Sequence, residues 1–406
     1  MEIKTYPQYK ESRINWVGEI PHDWDTQRVK NIMTLKNGDK PTFIEEGKYP
    51  VIGANGQIGL SNNYNITKDT IIIGRVGSAG AINIAKNYSF VSDNAIIAQT
   101  NQNLKWVFYL FNSMNLDVLI NKNAQPIITG SQIKNLSIPK ISIGLQEQIA
   151  KYLDKKTSQI KQNINKNKKL IELLKEKRTA LINQAVTKGL NPDTPMKESG
   201  IEWIGEIPKH WKKVQLRAYF IEHKNKNKSL KETNLLSLSY GKIIQKDIHT
   251  KEGLLPENFE NYNVIKKGYI VLRLTDLQND KKSLRTGLCT EKGIITSAYV
   301  TIKSFKEINS TYVHYLLHSY DINKIFYNMG CGVRQNMNFK EFSRLPLLIP
   351  YIDEQEEIVT CLNNQTQLID KTIEKIERNI ELLEEYKESL IHYVVTGKID
   401  VRGVEV

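Results

Sequence analysis

Apolar residues recur at helical spacing along residues 146–188, with Ile149, Leu153, Ile160, Ile164, Ile171, Leu174, Leu181 and Ala185 on one stripe. No proline or glycine interrupts the stretch. The pattern predicts a single helix of roughly 60 Å at 1.5 Å per residue, far longer than one small core can cover. It reads as a spacer. Adding 209 to the numbering gives a second copy through Gln355, Glu356, Ile358, Leu362, Ile369, Ile373, Ile380, Leu383, Leu390 and Val394, and Val186-Thr187 falls on Val395-Thr396. So many coincidences at one offset indicate duplication.

A second repeat precedes each helix by more than a hundred residues. Trp16-Val17-Gly18-Glu19-Ile20-Pro21-His22-Asp23-Trp24 returns as Trp203-Ile204-Gly205-Glu206-Ile207-Pro208-Lys209-His210-Trp211. The chain is therefore globule, helix, globule, helix, with segments expected at 1–144, 145–190, 191–350 and 351–398 and a tail at 399–406. The linker Gly189-Leu190-Asn191-Pro192-Asp193-Thr194-Pro195 marks the internal boundary, because glycine ends a helix and proline forbids its continuation. The tryptophans could stack on bases. The plainer reading is that they pin the entering chain to each core, with Gly-Glu-Ile-Pro as a turn.

Within the first globule, residues 70–80 read as a buried strand entering a glycine-rich turn, followed by strands at 81–85 and 95–99 and a helix at 106–119. The second globule offers looser counterparts: strands at 267–276 and 294–302 and a helix at 311–320. Leu136-Ser137-Ile138-Pro139 and Leu347-Leu348-Ile349-Pro350 close the two globules alike. The expected fold class is α/β (α+β), two globules joined by two long antiparallel helices in an intramolecular coiled coil with a pseudo-two-fold repeat.

Charge sharpens this picture. Residues 146–188 hold eleven cationic against four anionic side chains, a net of +7, while residues 355–398 hold five against nine, a net of −4. Opposite signs favour pairing within one chain over pairing between copies of one helix. Of the overall +13, about three quarters therefore lies on the globules, where a polyanion would bind. Cys289, Cys331 and Cys361 are too far apart in sequence for a disulfide framework or a zinc motif, which suggests a reducing compartment, the cytoplasm. No run of about 18 apolar residues suggests a membrane span.

Candidate chemistry is confined to loops. Gly74-Arg75-Val76-Gly77-Ser78-Ala79-Gly80 invites a phosphate-cradle reading but is not the GxxxxGK[ST] motif, so it reads instead as a turn that could touch DNA through Arg75 or Ser78. Side chains able to reach base edges are Asn55, Gln57, Asn62, Asn63 and Tyr64; Ser92, Asp93 and Asn94; and Gln125, Thr129, Ser131 and Gln132. In the second globule they are Arg273, Thr275 and Asp276; Thr296 and Ser297; and Arg334, Gln335 and Asn336. Each is individually more often a solvated loop residue. His314 and His318 sit four apart without the glutamate of an HExxH site, so no metal is expected. Lys224, Lys226 and Lys228 read as a solvated loop or as nonspecific phosphate contacts. No catalytic Asn-Pro-Pro-Tyr loop, cofactor fingerprint or helicase motif occurs, so no catalytic residue and no bound cofactor are expected.

With the Trp-x-Gly-Glu-Ile-Pro-x-x-Trp motif in both halves, the Gln-Glu entry to each long helix and the Val-Thr ends, the chain resembles the specificity subunits of type I restriction-modification systems over essentially its full length. The resemblance implies two target recognition domains that each read half of a bipartite asymmetric DNA site, with the helices as a ruler. It implies a non-catalytic subunit working with two modification subunits that methylate adenine with S-adenosylmethionine, and with restriction subunits that use ATP and Mg. Two other readings stay open: an adaptor or decoy for modification subunits, and a specificity subunit of a related restriction system outside type I.

Overall fold

The computed structural model describes residues 4–120, 126–248, 258–277, 284–327, 329 and 336–404. Two compact units divide the chain inside the long helices: residues 1–168 with 377–406, and residues 169–376.

In the first unit a four-stranded antiparallel sheet runs Met33–Asn37, Ala95–Thr100, Thr70–Gly74, Ile82–Ala85. Every residue of Thr70–Gly74 is buried, because the sheet is covered on both faces. Ile71, Ile73, Ile96 and Ala98 face a core built with the helix Leu104–Ser113, while Ile72 and Ile97 face a smaller cluster with Ile66, Ala85 and Val91. A strand buried on both faces reads as a continuous apolar run rather than an alternation. Over the second face lies a three-stranded sheet in which Tyr49–Gly53 pairs antiparallel with Gly56–Ser61 and parallel with Phe90–Val91. The helix expected over 106–119 is two elements: Leu104–Ser113, capped by the Asn103 side chain, and a short 3-10 turn Leu116–Leu119 capped by Asn115.

The second unit repeats this plan with one more strand, Asn263–Ile265, on its outer sheet. Its central sheet runs Phe220–Glu222, Val300–Ser304, Ile270–Leu272, Thr286–Leu288, under a sheet in which Leu235–Ser239 pairs antiparallel with Lys242–Lys246 and parallel with Gly293–Ile295. The strand expected over 294–302 is interrupted by a turn at 296–299, closed by the Tyr299 amide on the Thr296 carbonyl.

The repeated tryptophan motif is an antiparallel strand pair, not a turn: Tyr9–Ile14 pairs with Gly18–Pro21, and Met196–Glu198 with Glu206–Pro208. The segment after each motif pairs with the closing strand, Asp25–Arg28 with Ser137–Lys140 and Lys212–Gln215 with Pro346–Ile349. Trp24 and Trp211 are buried core residues, and Trp211 Nε1 donates to Glu354 Oε1 at 3.0 Å.

The long helices span Ile143–Lys188 and Ile352–Val395. The first begins three residues before Gln146 and accommodates Gly144 in its opening turn, where Ser142 Oγ accepts from the Leu145 amide. Both end at a glycine in the left-handed region, Gly189 and Gly397, each with φ +76°. Gln146 and Gln355 are buried clamps: their Oε1 atoms accept from the amides of Asn103 and Asn309, the N-caps of the globule helices Leu104–Ser113 and Ser310–Ile322. The helices run antiparallel within each unit. In the first, Ile149, Leu153, Ile160 and Ile164 share a core with Leu390, Ile391, Val394 and Val395. In the second, Ile182, Ala185 and Val186 share one with Ile358 and Leu362, and Ile182 rather than Leu181 is fully buried. Arg178 Nε also meets Asp370 Oδ1 at 3.1 Å. Such a partly exposed pair contributes under about 1 kcal/mol, whereas each buried isoleucine contributes roughly 1.5–3 kcal/mol, so the apolar seam dominates the pairing.

Candidate nucleic-acid interface

Loop segments meet beyond the ends of the central strands, four of them in the first globule and two in the second, and hydrogen bonds join them. In the first, the Arg75 amide donates to Asn94 O at 2.9 Å and the Ile128 amide to Arg75 O at 3.0 Å, joining the glycine turn to the loops at 92–94 and 127–131. The hairpin tip Ala54-Asn55 completes the group: a Cβ on Gly74 would lie 2.9 Å from Ala54 O, and Asn83 Nδ2 reaches Asn55 Oδ1 at 3.5 Å. Only glycine at position 74 allows that approach. In the second globule the Met337 amide donates to Leu274 O at 2.9 Å and the Asp276 amide to Asn336 Oδ1 at 2.8 Å, joining the corresponding turn to its closing loop.

Strand register makes Gly74 equivalent to Arg273, since the Gly74 amide donates to Ala81 O and the Arg273 amide to Arg285 O, both at 2.8 Å. Arg75 and Arg273 therefore occupy neighbouring, not matching, positions.

Several candidates lie on these surfaces. Asn55, Ser78, Asn94 and Ser131 are exposed or at the rim, and Arg75 is oriented by its own Nη1 bond to Asp93 O at 3.2 Å. Thr275, Ser297 and Asn336 are exposed in the second globule, with Arg273 half-buried beside them. Asn62 and Asn63 lie on the loop after Gly56–Ser61, where Asn62 Oδ1 accepts from the Lys48 amide and the Asn63 amide donates to Ser61 Oγ. Ser92 is the correction: it is fully buried, its amide bonded to Ile52 O, so it packs the loop rather than facing a groove. Thr129 and Gln132 form a capping box on the short helix Gly130–Lys134, a sufficient structural reason for both. Gln125, Arg334 and Gln335 lie outside the described residues, as does Cys331.

Sequence reading missed a basic recess. Lys36, Arg75 and Lys134 line a recess of about 270 Å³ with Asn37, Thr129 and Ser131, and among the described residues no carboxylate lines it. Three cations from separate elements around a small polar hollow suit an anionic oxygen cluster. It also missed Tyr240, 76% exposed at φ +44° on the tip between Leu235–Ser239 and Lys242–Lys246, where Tyr240-Gly241 stands in the place of Ala54-Asn55 in the first globule. A Tyr-Gly pair between two strands was the available signal. Tyr49, Tyr64 and Tyr88 form an edge-to-face ladder at 5.0 and 5.3 Å beside the Asn62 loop.

His314 and His318 are no exposed metal pair. Burial lowers His314 to about 4 and, with the charges of His314 and Arg178 adding to it, His318 to about 3, so both rings are neutral. Among the described residues no cluster of three or more metal-ligating side chains occurs, and no described helix is long and apolar enough to cross a membrane.

A duplicated recognition protein, with one polar loop surface per globule on a shared helical frame, is the class these features define. Residues 21–173 match the family described as type I restriction modification DNA specificity domain. The type I restriction enzyme MjaVIII specificity subunit of Methanocaldococcus jannaschii is 25% identical, over 95% of this chain and 95% of its own. The HsdS subunit from Thermoanaerobacter tengcongensis has a similar fold, with TM-score 0.53 and 12% identity over 94% of this chain and 98% of that one. A chain from the structural work on complex assembly and conformational transition of the type I R-M system gives TM-score 0.64 at 12% identity, over 94% and 99%. Over nearly its whole length the chain is similar to specificity subunits of type I restriction-modification systems, and residues 21–173 match the DNA specificity domain of that family.

Proposed function

We propose that each globule reads one half of a bipartite, asymmetric DNA site, and that the two long helices set the spacing between the halves. Partner modification subunits, two per chain, methylate adenine with S-adenosylmethionine at the site this chain selects; restriction subunits using ATP and Mg join the same assembly, in the cytoplasm. This chain supplies recognition and carries no catalytic residue. The observation that supports the reading is one architecture used twice with different side chains at equivalent loops, Ala54-Asn55 against Tyr240-Gly241 and Gly74 against Arg273. A frame kept constant beneath divergent loops suits two readers of two different sequences. Joining them in one chain makes the second contact intramolecular, which raises affinity for sites at one spacing.

Leu382 and Tyr386 on the second long helix, in the first unit, are 47% and 56% exposed and offer apolar surface to a modification subunit. The test is sequencing of modified adenines in cells with and without this gene. Loss of methylation at one asymmetric bipartite motif on deletion is expected; an unchanged methylation pattern would overturn the reading.

A further inference from the structure

The two globules hold their equivalent turns by different means. In the first, the turn after Thr70–Gly74 closes on itself: Gly77 and Gly80 take φ +79° and +83°, the Gly80 amide donates to Gly74 O at 2.8 Å, and the Ala81 amide to Ser78 O. The corresponding segment of the second globule, Arg273-Leu274-Thr275-Asp276-Leu277, contains no glycine, and Asp276 itself adopts φ +57°.

There a side chain bridges the described residues of the turn. Arg285 is fully buried; its Nη1 donates to Thr275 O at 3.1 Å and its Nη2 to Asp276 O at 3.0 Å. A guanidinium presents its N–H groups in a rigid planar fork, so two carbonyls bound to the two ends of that fork are fixed relative to each other. Arg285 is in turn anchored. Its backbone amide and that of Thr286 both donate to Asp321 Oδ2, and Asp321 Oδ1 accepts from Tyr327 OH at 2.9 Å. Asp321 lies fully buried on the helix Ser310–Ile322, so the turn is tied to the globule's core. From its outer side the Asp276 amide is held by Asn336 Oδ1. The residue equivalent to Arg285 in the first globule is Ala81, which can supply no such clamp.

We infer that Arg285, anchored by Asp321, is a positioning residue for sequence reading by the second globule: it cannot touch DNA, but it sets how Arg273, Thr275 and Asp276 are presented. The inference rests on the reading proposed above and names the device that shapes one of its two surfaces.

The test uses the complex of the full chain with its modification subunits, carrying Arg285→Lys, Arg285→Met or Tyr327→Phe. Methylation rates are measured on the native site and on duplexes with one base changed in either half. Lysine keeps the charge and methionine most of the volume, yet neither can hold two carbonyls in a fork. Expected for both is a loss of discrimination of ten-fold or more in one half-site, with the other half-site and complex assembly unchanged. Tyr327→Phe removes a single hydroxyl and gives a smaller loss in the same half-site; it carries the test if the Arg285 variants do not assemble. Discrimination within two-fold of wild type in both halves would overturn the inference, as would equal loss in both halves of an assembled complex. A wild-type complex that methylates no bipartite site would instead overturn the functional reading itself.

Discussion

Lys398 Nζ donates to the backbone carbonyl of Glu19, and Lys188 Nζ donates to that of Glu206, its duplicate. Each long helix therefore ends on a Gly-Glu-Ile-Pro strand, but the first ends on the copy that follows it and the second on the copy near the start of the chain. The glycines beside these lysines are not equally constrained. A Cβ on Gly397 would lie 2.4 Å from Pro21 Cδ and 3.0 Å from the Trp24 ring, whereas one on Gly189 would meet nothing closer than 3.4 Å. Alanine at 189 is expected to cost about 1–2 kcal/mol, from left-handed backbone alone. Alanine at 397 adds overpacking, which typically costs a further 1–3 kcal/mol. Thermal unfolding of the two variants checks this ranking; equal shifts in Tm would refute it.

Acid should weaken the second globule through its buried histidines. Above pH 6.5 both His314 and His318 are neutral in the folded and unfolded chain, and neither affects stability. Below it the unfolded chain takes up protons that the folded one refuses until about pH 4 for His314 and about pH 3 for His318, so stability falls across that window. For His318 the loss reaches about 2 kcal/mol at pH 5. Urea unfolding at pH 7 and pH 5 measures the loss, and His318→Gln should roughly halve the part due to the histidines, because His314 contributes a similar share.

The basic recess predicts a salt signature. Lys36→Ala and Lys134→Ala in the assembled complex should each weaken DNA binding similarly for all sequences and reduce the slope of log affinity against log salt by about 1. Arg75→Ala, on the glycine turn, should cost about 1–3 kcal/mol and relax discrimination in one half-site. An unchanged salt slope in all three would remove the recess from the interface.

Tyr386→Ala should weaken association with the modification subunit by ten-fold or more while leaving the Tm within a few degrees, because the ring is 56% exposed in the chain alone. Titration calorimetry with purified modification subunit reads the affinity. Unaltered binding would move the partner surface elsewhere on the helices.

Sequence by itself determined the duplicated plan. Helical spacing from Ile149 to Ala185, its copy at Ile358 to Val394, and the glycine that ends the first helix are local signals that a chain displays without folding. The run Thr70-Ile71-Ile72-Ile73-Gly74 likewise announced a buried strand, which the structure covers on both faces. Tertiary structure decided what depends on partners distant in sequence. Gln146 and Gln355 are ordinary polar residues until the N-caps of other helices meet them, and Ser92 is a loop serine until Ile52 covers it. Lys36, Arg75 and Lys134 become one recess only when three separate elements converge. Arg285 carries no sequence signal of its role, because its two carbonyl partners and Asp321 are brought to it by the sheet and the helix; hydrogen bonds between such positions are set by the packed fold, not by local pattern.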